Sequence, residues 1–302
     1  MSEKFNIQWY PGHMASAKRM MKENLSLIDI LVELLDARIP YSSKNPDIDE
    51  LAKNKKRIAV LNKSDLADEK QNTAWKHHYE QRGFSVAVTN SAEGKGLNAV
   101  AEIARSLMAE KIERQKARGR INVPIRAMIV GIPNVGKSTM INRYAKKAVA
   151  RVADKPGVTK GKQWIKISSD FELLDTPGVL WPKFEDDNVG VNLALIGSIN
   201  DNILDIEGLA YELIKLLAAS APQSLMGRYK IDFSKLDEPA DILNKIGIAR
   251  GFKTKEGEID IRRCAIILID EFRAGRLGRI SLEKPLDLSD TMTSLIKDKE
   301  EE

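Results

Sequence analysis

Cysteine is almost absent from these 302 residues: Cys264 stands alone, no disulfide can close within the chain, and a reducing, cytoplasmic setting is expected. Histidine is nearly as scarce, at three. His77 and His78 adjoin each other with no cysteine or third ligand near, and read as surface residues. Long apolar runs are missing too. The stretch 265–269 is short and 25–35 is broken by Asp29 and Glu33, far from the roughly 20 apolar residues of a membrane helix. No membrane partner is therefore expected. The opening MSEKFNIQWYPG has no apolar core, so neither a secretory signal nor a transit peptide is expected. Internal repeats and long low-complexity tracts are also lacking.

What is present is ordinary for a globular protein: 43% apolar and 30% charged residues, which excludes disordered and collagen-like chains. The net charge is only +5, but it is unevenly spread. Between 143 and 166 stand eight basic residues against Asp154 alone, and between 111 and 126 six against Glu113. Each run reads as a solvated face or charged connector, and the two together make a polyanionic partner worth testing.

Apolar runs closed by polar or Gly-rich punctuation predict buried strands at 30–35, 58–61, 86–88, 125–130, 164–167 and 171–174. Helical patterns at 13–27, 46–53, 69–81 and 97–114 fall between most of them. This alternation predicts an α/β fold, a mostly parallel sheet with helices on both faces. Beyond Pro182 the strand signals fade and helices are predicted at 191–199, 206–218, 239–246 and 260–273. The expected division is a domain at 1–184, including an N-terminal extension, and a small all-α domain at 185–302.

The run 125–130 leads into Gly131-Ile-Pro-Asn-Val-Gly136-Lys137-Ser138, a GxxxxGK[ST] loop with a helix after it. Backbone amides of Asn134, Val135, Gly136, Lys137, Ser138 and Thr139 would cradle phosphates. Lys137 would reach the β- and γ-phosphates, and the Ser138 hydroxyl would ligate magnesium. Asp175-Thr-Pro-Gly178 closes the last strand: Asp175 is suited to hold the magnesium through water, and the Gly178 amide to meet a γ-phosphate. Thr159, in the basic stretch between, is suited to complete magnesium coordination. Upstream, Asn62-Lys63-Ser64-Asp65 ends a strand. A carboxylate at Asp65 accepts hydrogen bonds from N1–H and the exocyclic amine of guanine, which adenine cannot offer. Asn62 is expected to contact the base, Lys63 to cover its face, and Ser91-Ala92 to give guanine O6 a backbone contact. An isolated NKSD reads equally as a capped turn, but motifs at several strand ends point to one ligand site.

This set resembles the translation-factor class of P-loop GTPases, except that the base-reading NKSD and SA precede the phosphate loop, a circular permutation. The opening Gln8-Trp-Tyr-Pro-Gly-His13-Met14 and the Phe272-Arg273-Ala-Gly-Arg276-Leu-Gly278-Arg279 segment are similar to those of the bacterial ribosome biogenesis GTPase A (YlqF) family. The resemblance implies GTP hydrolysis to GDP during late maturation of the large (50S) ribosomal subunit, with ribosomal RNA, not DNA, as partner. Val179 and Leu180 follow the switch glycine where Ras-like enzymes carry a water-orienting Gln, so His13 is the candidate for that role. Asn134 resembles the asparagine of potassium-activated GTPases. Slow intrinsic turnover stimulated by the particle is expected, with GTP ordering Thr159 and 175–178 and thereby fixing the helical domain. Arg273, Arg276 and Arg279, three residues apart, read either as a row facing RNA phosphates or as solvated charges at a helix end. Trp9 and Tyr10 read either as base-stacking or as a staple against the core. Two alternatives stay open: a nucleotide-dependent RNA-binding switch whose hydrolysis only accompanies release, and a permuted GTPase acting on the small subunit or tRNA.

Overall fold

The apolar runs form one six-stranded sheet: β1 (Ile30–Asp36), β2 (Lys56–Asn62), β3 (Ser85–Val88), β4 (Ile125–Gly131), β5 (Trp164–Ser168) and β6 (Phe171–Leu174). The structure, a computed structural model, describes residues 12–120, 123–149, 164–181, 184, 186–234 and 236–285. The strand order is β3-β2-β1-β4-β6-β5, and every pairing is parallel except β5 with β6. All seven residues of β1 are buried, as a central parallel strand covered on both faces requires. The order reverses between β1 and β4, leaving a crevice at their carboxyl ends where ligands bind in such sheets. NKSD follows β2, SA follows β3, the phosphate loop follows β4 and DTPG follows β6, so one rim carries these four motifs.

The helices are α1 (Gly12–Asn24), α2 (Pro46–Leu51), α3 (Glu69–Gln81), α4 (Leu97–Leu107), α5 (Ala109–Ala117), α6 (Lys137–Val149), α7 (Asp187–Leu195), α8 (Ile206–Ser220), α9 (Pro222–Tyr229), α10 (Pro239–Arg250) and α11 (Ile261–Arg273). Side-chain N-caps start several of them: Asn45, Asp68, Asp186, Asp205 and Asp260 each accept a first-turn backbone N–H, worth about 1 kcal/mol apiece. The single helix expected at 97–114 breaks at Met108. α4 buries Leu97, Val100, Ala101 and Ala104 on the sheet, whereas α5 has no fully buried residue and packs only Ile112 partly on the core. α7 lies about four residues before its expected place, because Asp186 caps its start and Gly197 ends it. α9 was not expected; only Leu225 and Tyr229 of its eight residues are buried, too few to make a periodic signal. His78, expected on the surface, packs edge-on against Trp75 and Tyr79, with ring centroids 5.0 and 5.6 Å away, and burial together with Arg82 lowers its pKa.

A continuous apolar cluster joins the sheet to the helices beyond it, from Val32 and Met128 through Leu193 and Leu213 to Leu268 and Phe272. A smaller one, built on Leu35, Leu61, Trp75 and Tyr79, fills the space beneath α3. Backbone bonds from Ile280 N to Leu66 O (2.9 Å) and from Leu282 N to Arg38 O (2.9 Å) lay the chain after α11 against the NKSD loop. No described helix is long and apolar enough to cross a membrane.

Candidate nucleotide site

β4 runs directly into the phosphate loop, and α6 starts at Lys137, so the amides of the loop and the helix N-terminus converge on one spot. Lys137 is buried and donates from Nζ to the carbonyls of Gly131 (2.8 Å) and Ile132 (2.9 Å), folding the loop around its own stem. Gly136 has φ +103°, and a Cβ there would lie 2.4 Å from Asn62 Nδ2, so only glycine fits. A cavity of about 690 Å³ opens beside the loop, with Lys137, Ser138, Thr139, Asp175 and Gly178 in its wall. The DTPG segment is tied to β4 by Thr176 Oγ1 on Ile129 O (2.7 Å) and Val179 N on Gly131 O (3.3 Å).

Hard oxygen donors suit magnesium, and this wall presents the exposed Ser138 hydroxyl and the Asp175 carboxylate. Desolvation raises the pKa of Asp175 despite the opposing Lys137, as for a carboxylate short of positive charge. The donor set therefore fits the ion. Asn134, at φ 58°, places its Nδ2 2.6 Å from Gly197 O; the nitrogen must face that carbonyl, and Oδ1 makes no hydrogen bond among the described residues. An exposed amide oxygen on the phosphate loop suits a monovalent cation.

At the other end of the crevice Asn62, expected to contact the base, also holds the loops around it. It is buried, with Nδ2 donating one hydrogen to Val135 O (2.8 Å) and Oδ1 accepting from Thr89 Oγ1 (3.0 Å), Ser91 N (3.1 Å) and Ser91 Oγ (2.7 Å). One side chain thus joins the phosphate loop, NKSD and SA. With the Ser91 amide taken, the Ala92 amide, which donates to nothing described, is the one left for guanine O6. Asp65 is exposed and makes no hydrogen bond among the described residues.

The sequence reading missed Asp36 and Arg38. Both are fully buried at the end of β1, where Arg38 donates to Asp36 through Nε (2.9 Å) and Nη2 (2.8 Å). Lys63 Nζ, expected over the base, lies 3.1 Å from the same carboxylate. Burial acts to raise the Asp36 pKa, but Arg38 and Lys63 outweigh it and hold the carboxyl well below its usual range. The available signal was Asp-Ala-Arg directly after an apolar strand, a charged pair where the next turn should be merely polar.

The three arginines do not form a single row. Arg273 donates to Leu195 O (3.0 Å), Ala194 O (2.8 Å) and the Asp201 carboxylate (2.7 Å). Arg279 donates to Ala67 O (2.8 Å) and Ser64 O (3.2 Å), bracing the NKSD loop from behind. Arg276 alone is largely open to solvent, 4.0 Å from Glu271. The backbone of His13 belongs to α1, and its side chain lies outside the described part. Trp9, Tyr10 and Thr159 also lie outside the described residues, as does most of the basic stretch before β5.

Burial lowers Lys137 to about 8, with Asp175 pulling the other way. Polyphosphate binding requires the ammonium and so raises this pKa, hence affinity is full below the free value and is lost as pH rises through it. GDP is expected to bind about fourfold more weakly at pH 8.5 than at pH 7. Lys137→Arg, charged throughout, should show a flat profile; titration of a fluorescent GDP analogue across this range distinguishes the two.

A phosphate loop, a DTPG segment and an NKSD loop on one sheet rim, with the NKSD and SA strands earlier in the chain, define a circularly permuted P-loop GTPase. A family model described as "50S ribosome-binding GTPase" matches residues 126–218. The chain is 46% identical over 282 residues to the ribosome biogenesis GTPase A of Bacillus licheniformis, covering 93% of this chain and 99% of that protein. It is 30% identical over 284 residues to that of Thermotoga maritima, covering 94% and 96%. Among solved structures, a GDP-bound YlqF matches at 26% identity and TM-score 0.65, covering 88% of this chain and 99% of that one. A GNP-bound YlqF from T. maritima matches at 27% and 0.62, covering 90% and 100%. The chain belongs to the ribosome biogenesis GTPase A family, and its reaction is the hydrolysis of GTP.

Proposed function

We propose that this GTPase acts in the cytoplasm as a late assembly factor of the large ribosomal subunit, hydrolysing GTP while bound to the precursor particle and its RNA. The observation that carries the reading is a pair of bonds across the crevice: Asn134 Nδ2 to Gly197 O (2.6 Å) and Ser198 Oγ to Pro133 O (2.8 Å). They tie the phosphate loop to the segment leading into the helices, so the loop that meets the triphosphate is wired to the part that would meet a partner. The names of the relatives and of the family model support a ribosomal particle as the partner.

Residues 1–184 form the nucleotide domain in this reading, and 185–302 the RNA-facing one. Lys137 and the loop amides hold the β- and γ-phosphates, Asp65 and Ala92 select guanine, and the Gly178 amide meets the γ-phosphate. Ser138, Asp175 and Thr159 would hold magnesium and Asn134 potassium, supplying positive charge where negative charge develops in the transferring group. His13 orients the attacking water, since Val179 and Leu180 are buried apolar side chains that cannot. Arg276 is the arginine free to meet an RNA phosphate.

The test is GTP turnover by the protein alone, with separated large subunits and with separated small subunits, in potassium and in sodium. Large subunits in potassium are expected to accelerate turnover at least about tenfold, about 1.4 kcal/mol off the barrier. Stimulation by small subunits alone, or by neither, overturns the assignment of the partner; equal rates in the two salts overturn that of potassium.

A further inference from the structure

The cavity beside the phosphate site, about 480 Å³ and walled by Asn134, Gly197, Asp201 and Arg273, contains no group the mechanism above uses except Asn134. Its shape comes from the way α7 ends. Gly197 N bonds Ala194 O (2.9 Å) and Ser198 N bonds Leu193 O (2.9 Å), a Schellman closure with Gly197 at φ +78°. Arg273 closes the same end: it donates to the carbonyl of Leu195 and joins Gly197 N on that of Ala194, and it also pairs with Asp201 through both terminal nitrogens. A Cβ on Gly197 would lie 3.3 Å from Arg273 Nε, so the turn and the guanidinium pack against each other. On its far side the same turn offers Gly197 O to Asn134 and the Ser198 hydroxyl to the carbonyl of Pro133, gripping the peptide bond before Asn134.

We infer that Arg273 is a positioning residue for GTP hydrolysis: by capping α7 it sets the turn at 197–198, and through that turn the place and amide orientation of Asn134 in the phosphate loop. The inference rests on the reading of Asn134 as part of the triphosphate site. Four of the five N–H donors of Arg273 are spent inside the molecule, which makes the residue a strut between α11 and the phosphate loop. Arg38 Nη1 reaches Arg273 O (3.4 Å) and its guanidinium lies 5.4 Å from the centroid of the Phe272 ring, so this helix end is also anchored to the strand that carries Asp36. A pull on α11 from a bound partner is transmitted to the phosphate loop by this route.

A double-mutant cycle tests it, with Arg273→Gln and Asn134→Ala alone and together, in one salt throughout, reading kcat for GTP, GDP affinity and the thermal midpoint. Arg273→Gln is expected to lower kcat about fivefold or more while GDP affinity changes less than about twofold, because the Asn134 side-chain amide, unlike the backbone amides of the loop, serves triphosphate chemistry only. In the Asn134→Ala background the same substitution should leave kcat unchanged. Equal factors in both backgrounds, or an unaffected kcat, overturn the inference, since a helix cap with a stability role alone would act independently of Asn134. If Arg273→Gln does not fold, Ser198→Ala leaves the cap of α7 intact and is expected to show the same dependence on Asn134. Equal turnover in potassium and sodium would remove the cation from Asn134 and leave this cycle as decisive as before.

Discussion

Asp65→Asn is expected to weaken GTP binding on the order of 10²–10⁴-fold and to make the xanthine nucleotide the better ligand. A carboxylate at Asp65 accepts from both N1–H and the 2-amino group of guanine, two charge-assisted bonds together worth about 3–6 kcal/mol. Xanthine replaces that amine with a carbonyl, so the carboxylate repels it, whereas an amide accepts from N1–H and donates to the carbonyl. The exchange should leave the fold untouched, because Asp65 is exposed and bonds to nothing described, while the loop around it is held by Asn72 on Ser64 O (3.0 Å), Arg279 and Ile280. Competition of GDP and its xanthine analogue for the purified variant reads out the switch. Loss of both ligands with an unchanged thermal midpoint would mean that Asp65 is not the base reader.

The contrast between Asp65 and Asn62 shows what a sequence can and cannot disclose. Both stand in one motif, yet only the environment separates the exposed Asp65, proposed to read the base, from the buried Asn62 that joins three loops. Asn62 ends β2 inside the sheet rim, opposite Asp36 in register, and its partners Val135 and Ser91 come from loops dozens of residues away. Strands were legible because runs of three to six mostly apolar residues closed by polar punctuation fit a doubly covered sheet and little else, and the phosphate loop because its spacing encodes its own geometry. Arg273 was not legible. Its row of three arginines matched a solvent-facing pattern, while the carbonyls that claim it, Ala194 and Leu195, lie 79 and 78 positions earlier in the chain. Asp36 and Arg38 escaped for a related reason: a buried ion pair has no periodic signature, and its third member, Lys63, arrives from another strand.

Gly178→Ala should reduce kcat on the order of a hundredfold while GDP affinity changes by less than about threefold. Gly178 has no positive φ, so the obstacle is space and not backbone strain. A Cβ there would lie 2.8 Å from Pro133 Cα, 2.9 Å from Pro133 N and 3.0 Å from Lys137 Nζ. Two of those atoms are backbone of the phosphate loop, itself fixed by Ser198 on Pro133 O and by Lys137 on Gly131 O, so the DTPG segment must move. The displacement carries the 178 amide and the neighbouring Asp175 away from the place of the γ-phosphate and its metal, and a misplacement of about 1 Å at a reacting centre costs about 10²-fold. GDP has no γ-phosphate, and the proposed site would hold it through Lys137, the loop amides and Asp65, none of which needs the 178 amide. Gly227→Ala is the control: no atom lies within 4 Å of a Cβ at 227, and turnover should be unchanged. Single-turnover hydrolysis with GTP in excess of its dissociation constant isolates the chemical step. If Gly178→Ala lost GDP and GTP binding in equal proportion, the segment would serve the diphosphate as well, and the γ-phosphate role of residue 178 would be wrong.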